Sequence, residues 1–170
     1  PVAAKAADKA SKGKAKDAKP EEFRTALERR ISAEQMLRNL LEATGENTVK
    51  GGATFDAMRP KFLAAFADAP REPEEGFNPT LKGALFLLND KSVLSWLTPK
   101  TNNLLDRLAK IDDKAKAADE LFVSILTRTP SADEAKEIVA YLGKNKDDRP
   151  AALRRLTWAL LASTEFSVNH

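Results

Sequence analysis

The sequence predicts an all-α protein, a compact bundle of seven to nine short helices behind a disordered basic N-terminal tail. Three observations carry that expectation. Apolar residues recur at i, i+3 and i+4 in segment after segment. Helix starts and stops punctuate those segments, with Ser or Asp before them and Gly or Pro after them. No alternating apolar pattern persists for five residues between turn signals, so no strand is expected. A chain of 170 residues buries roughly 70% of its unfolded surface on folding, enough for a core without staples.

The tail is residues 1–19 and the helical domain is residues 20–170. Lys5, Lys9, Lys12, Lys14, Lys16 and Lys19 face only Asp8 and Asp17, a local +4 in a chain whose formal total is +3. The high isoelectric point therefore belongs to the tail. Val2 is its only apolar residue larger than alanine, so it has nothing to bury against the entropy of ordering. It reads as a solvated linker or a segment that orders on a partner; an arm for nucleic acid and a processed targeting remnant are the alternatives. Without a central apolar stretch it is no secretory signal peptide. The start at Pro1 reads as a processing or cloning boundary.

Pro20, followed by Glu21 and Glu22, opens the first helical stretch, with Phe23 and Leu27 one turn apart. After Arg29 and Arg30, Ser32 and Gln35 form a capping box. Met36, Leu37, Leu40 and Leu41 make the stripe behind it, and Gly45 ends it. Gly51–Gly52 marks a loop. Pro60 is expected in the first turn of a short helix carrying Phe62, Leu63 and Phe66. The stretch from Pro70 to Pro79 reads as an irregular connection.

Asn78 and Pro79 then cap a helix over 80–88. Leu81, Ala84, Leu85, Phe86, Leu87 and Leu88 cover nearly all of its faces, which predicts a central, wholly buried element. Asn89 and Asp90 cap a helix with Val93, Leu94, Trp96 and Leu97, broken by Pro99. Leu104, Leu105 and Leu108 follow. Asp112 is expected to cap a long helix to about Arg128, with Leu121, Phe122, Ile125 and Leu126 as its stripe. Ser131 and Glu134 form a second capping box. Its helix carries Ile138, Val139 and Leu142 and is expected to end at Gly143. Asp147, Asp148 and Pro150 open the last helix, lined by Leu153, Leu156, Leu160 and Leu161 with Trp158 beside them.

Chemistry has little to stand on. The absence of cysteine excludes disulfides, thiolate zinc sites, iron–sulfur clusters and covalent haem. His170 is the single histidine, which weighs against histidine-based mechanisms and multi-histidine metal sites. No apolar run approaches the roughly 18 residues of a membrane span. Gly51–Gly52 lacks the preceding strand and following Lys of a phosphate loop. Among the carboxylate pairs Glu74–Glu75, Asp112–Asp113 and Asp147–Asp148, the last two sit at helix starts, where Asp112 and Asp148 read as caps. Lys91–Ser92 and Ser131–Lys136 are ordinary neighbours. Trp96 and Trp158 lie among leucines and read as core rather than as a sugar platform. Arg149, Arg154 and Arg155 read as a solvated face with Glu165 for offset. No cofactor is expected.

Four segments also carry a resemblance: 30–45 (RISAEQMLRNLLEATG), 77–89 (FNPTLKGALFLLN), 120–134 (ELFVSILTRTPSADE) and 158–170 (WALLASTEFSVNH). In this order they resemble the C-terminal domain of unknown function found in large multi-domain planctomycete proteins, often beside cytochrome-c-like or immunoglobulin-like domains. The resemblance spans roughly residues 28–170. It implies a periplasmic, cell-envelope or secreted location, a larger polypeptide of which this chain is the distal piece, and a natural C-terminus at His170. It assigns no activity to named residues. The haem motif of the cytochrome-like neighbours is absent, so no haem is expected in this chain.

The resulting expectation is a non-catalytic helical interaction or scaffold module, its partners other proteins or other domains of the same polypeptide. One alternative is an accessory domain of a secreted enzyme or electron-transfer protein, possibly acting on polysaccharide, with a cleft at the Pro70–Pro79 loop lined by Arg71, Glu75 and Trp96. Another is sequence-blind binding of nucleic acid by the six tail lysines.

Overall fold

The computed structural model describes residues 29–46, 53–66 and 81–169. The tail lysines, the stretch opened at Pro20, the Gly51–Gly52 loop, the Pro70–Pro79 connection with Arg71, Glu74 and Glu75, the Asn78–Pro79 cap and His170 lie outside these residues.

Helices dominate, as expected. The order is β1 (Arg29–Arg30), α1 (Ala33–Thr44), α2 (Ala53–Phe66), α3 (Leu81–Asn89), α4 (Lys91–Trp96), α5 (Leu104–Ala109), α6 (Lys114–Leu126), α7 (Ala132–Lys144), a 3-10 turn (Lys146–Asp148), α8 (Arg149–Leu161), α9 (Thr164–Ser167) and β2 (Val168–Asn169). The two strands are two residues each and pair antiparallel, Arg29 with Asn169 and Arg30 with Val168. Such a pair is too short to give an alternating signal.

Local chemistry sets the helix starts. Ser32 Oγ accepts from the Gln35 N–H while Gln35 Oε1 accepts from the Ser32 N–H, at 3.2 and 2.8 Å, closing the expected box. Asp90 caps α4 through the N–H groups of Ser92 and Val93. The cap of α6 is Asp113, one residue beyond the expected Asp112, because its carboxylate is the one that reaches the N–H groups of Ala115 and Lys116. Asp148 precedes α8 but makes no side-chain cap bond; Pro150 in the first turn supplies the helical φ instead. Gly143 lies inside α7, which continues to Lys144 and is closed by Asn145.

Pro60 is a second correction. It sits in the middle of α2, which already begins at Ala53. The N–H it lacks would have bonded the Asp56 carbonyl; Asp56 and Pro60 are both exposed, so water can take that bond.

The core is one connected cluster. Leu37, Leu40 and Leu41 of α1, Phe62 of α2, Leu104, Leu105 and Leu108 of α5, Leu121 of α6, Leu142 of α7 and Leu153 of α8 are at most 2% exposed. Helix α1 packs on α2, α5 and α6, and α6 is the hub, packing on α1, α5, α7, α8 and α9. Helices α6, α7 and α8 pack against one another, and α3 packs on α2 and α4. Leu97 and Phe166 close its edges.

Candidate interaction surface and polar clusters

Helix α3 departs most from its expectation. It turns Gly83 and Leu87 inward, with Phe86 half-buried beside them, and turns Ala84, Leu85 and Leu88 out. Leu85 is 48% exposed and Leu88 49%. A helix that is apolar on every face has a second solution besides complete burial, which is to leave one apolar face at the surface. On α4, Val93 and Trp96 are buried while Leu94 is 41% exposed. These three leucines are most of the large apolar side chains exposed among the described residues; Val123 of α6 is the other. Lys91 stands exposed at the start of α4.

Leu85 and Leu88, one turn apart, form an apolar ridge on α3, and the helices behind it meet through aromatic rings. Phe62 lies edge-on to Phe86 at 5.1 Å between centroids and stacks on Phe66 at 5.6 Å and on Trp96 at 6.4 Å. Phe66 meets Phe86 edge-on at 6.1 Å. Trp96 is 3% exposed, so its ring belongs to this cluster, and the sequence reading of it as core holds. Asp90, the α4 cap, also takes Lys61 Nζ of α2 at 3.0 Å. Burial raises the Asp90 carboxyl, but the Lys61 bond and the Val93 and Ser92 N–H groups outweigh it and hold the group below the ordinary carboxylate range. The cap thus links α4 to α2.

Two polar clusters lie elsewhere. The first joins the end of α1 to the start of α5. Asn103 is fully buried; its Oδ1 accepts from the N–H groups of Asp106 and Lys100 at 3.0 and 3.1 Å, and its Nδ2 donates to the Thr98 carbonyl at 2.8 Å. Glu46, 7% exposed, accepts from Lys100 Nζ at 2.8 Å. Gly45 ends α1 at φ +78°, and a Cβ there would stand 3.3 Å from Asn103 Cα, so both the backbone and the close approach call for glycine. These polar groups bond one another, which makes the cluster a joint between helices rather than a set of groups converging on a ligand.

The second cluster centres on Arg128. Its guanidinium donates to Glu134 at 2.8 and 2.9 Å and to Glu165 at 2.5 and 2.9 Å, and its Cζ lies 5.0 Å over the Phe122 ring. Glu134 also closes the α7 capping box with Ser131, accepting its N–H at 2.7 Å. The Arg128 bonds and then the Ser131 N–H bring the Glu134 carboxyl down to about 2. In return the two carboxylates push Arg128 further above its usual range. Glu165 therefore serves Arg128, not the arginines of α8. Of those, Arg154 and Arg155 are exposed, while Arg149 donates to the Ile111 carbonyl.

Among the described residues no group of three or more His, Asp or Glu could hold a metal ion. No helix among them is long and apolar enough to cross a membrane. Of the residues chosen from the sequence, Trp96 is in the aromatic cluster, and Arg71, Glu75 and the six lysines lie outside the described part. The surface leucines carry no sequence signal of their own, because a helix apolar on every face looks the same whether buried or partly exposed. Arg128 was missed because its carboxylate partners stand 6 and 37 residues away in sequence. Comparison with family models, curated proteins and solved structures finds no match to this chain.

Proposed function

We propose that this chain is a non-catalytic helical interaction module and that the outward face of α3 and α4 is its contact surface. The observation that carries the reading is the exposure of Leu85 and Leu88, one turn apart on α3, and of Leu94 on α4, each more than 40% exposed on helices whose Phe86 and Trp96 join the Phe62 cluster. Three partly exposed leucines offer on the order of a few hundred Å², the size of a functional patch. That is well below the roughly 800 Å² per partner of a standard stable interface. The ridge therefore suits the apolar stripe of one helix from a protein partner, or from another domain of a longer polypeptide, better than a large symmetric contact. Following the resemblance of the four sequence segments, we place this assembly in the cell envelope.

The test uses envelope extracts of source cells carrying either the unaltered protein or its Leu85→Gln/Leu88→Gln form. Glutamine keeps the helix propensity of leucine and removes the apolar ridge. The unaltered protein should sediment within a larger assembly and the double variant should be released from it. Equal sedimentation of the two forms, or absence of the protein from the envelope fraction, would sink the corresponding part of the reading.

A further inference from the structure

We infer that residues 164–169 form a strap that ties the start of the described chain to the bundle, and that Arg128 is its catch. Helix α9 is a single turn of four residues. One turn has too few backbone bonds to persist alone, so its order comes from what holds it to neighbours. Phe166 is 7% exposed in the core edge, and its N–H donates to Ser163 Oγ at 3.3 Å. Glu165 takes two bonds from Arg128. Arg128 is itself fixed from the other side, because Glu134 is held by its capping box at the start of α7.

The strap continues into β2, and β2 carries β1. Arg29 pairs with Asn169 and Arg30 with Val168, and the Ile31 N–H donates to the Ser167 carbonyl at 3.3 Å. Whatever frees 164–169 from Arg128 thus removes the backbone support of 29–31 as well, leaving only the Ile31 side chain in the core. The two segments are 133 residues apart at Ile31 and Thr164, yet the geometry makes them one opening unit. Opening it would free 29–31 and 164–169 while α1 and α5–α8 stay packed. It is a conformational device distinct from the α3–α4 ridge.

The test is hydrogen exchange on the full chain with Glu165→Gln, which keeps the shape and removes the charge. Exchange at 29–31 and at 164–169 should rise together by about tenfold, with α5 and α6 amides unchanged within about twofold. Faster exchange at 164–169 with 29–31 unchanged would overturn the inference, as would a uniform rise across the bundle or no rise in either segment. Should the variant fail to fold, the unaltered chain is measured between about 0.05 and 1 M NaCl, where screening weakens a partly exposed ion pair. The same two segments should then lose protection in parallel. Unequal changes, no change, or loss together with α5 and α6 would overturn the inference.

Discussion

The α2–α4 region and the α6–α9 region are both helical but finish their surfaces differently. In α7 the exposed positions include the charged Asp133, Lys136, Glu137 and Lys144, and in α8 Arg154 and Arg155. In α3, among the described side chains, they are Ala84, Leu85, Leu88 and Asn89. The interiors follow a reversed trend. Beneath α7 lie aliphatic residues such as Ile138, Leu142 and Leu153, whereas beneath α3 lie the rings of Phe62, Phe66, Phe86 and Trp96. The difference teaches that the total hydrophobicity of a helix reports how many apolar neighbours it can use, and its outward positions report whether the bundle uses all of them.

The largest expected effect attacks the aromatic base. Phe62→Ala removes a ring with no exposure and contacts to three other rings, and should cost about 3–5 kcal/mol. At about 2–4 °C per kcal/mol, the melting temperature should fall by on the order of 10 °C. In a Trp158→Phe background Trp96 is the single tryptophan and reports on this region. Its fluorescence and the far-ultraviolet circular dichroism should lose structure at one denaturant concentration, because α1 packs on both α2 and α6. A fluorescence midpoint well below the dichroism midpoint would break the comparison by making the two regions separate folding units.

What the sequence disclosed follows from what is local. The capping boxes at Ser32 and Ser131, the glycine stop at Gly45, the Asp90 cap and the stripes of α1, α5 and α6 all depend on residues within four positions of each other. The misplacements are local near-ties. Asp112 and Asp113 are adjacent carboxylates, and geometry selects the one that reaches two N–H groups. Pro60 favours a first turn, yet α2 tolerates it where its missing bond faces solvent. Long-range features gave no signal. The pairing of Arg29 with Asn169, the seating of Lys100 on buried Glu46 and the sharing of Arg128 between Glu134 and Glu165 depend on where the chain returns in space. The candidate surface was half visible, since the leucines of α3 stood out and only the direction of their exposure did not.

A middling effect separates the regions by pH. Glu134 titrates at about 2 against an ordinary 4.5, so its contribution is complete above about 4.5 and fades as the pH falls toward 2. Glu134→Gln should therefore lower the melting temperature at pH 6, and the gap between variant and unaltered protein should close as the pH approaches 2. Both partners of the pair are more than one-third exposed, so solvent screening keeps the gap to a few degrees. The carboxylates of Asp90, Asp106 and Asp113 are also held low, but they are common to both proteins and cancel in the difference. A gap that stays constant from pH 6 to pH 2 would mean that the Arg128 cluster contributes shape rather than charge.

The smallest expected effect is the one that tests the comparison most directly. Leu85→Gln with Leu88→Gln should change the stability of the isolated chain by less than about 0.5 kcal/mol per site, because substitutions at surface positions rarely do more. Burying a leucine fully is worth about 1.5–3 kcal/mol, so the outcome discriminates well. If urea denaturation shows a joint loss above about 2 kcal/mol, these side chains are covered within the chain itself, and α3 is the buried helix that its composition first suggested. If stability is unchanged while the envelope assembly is lost, the apolar face works between molecules or domains and not within the bundle. Only that combination preserves the contrast with α7 and α8, whose large exposed side chains are charged.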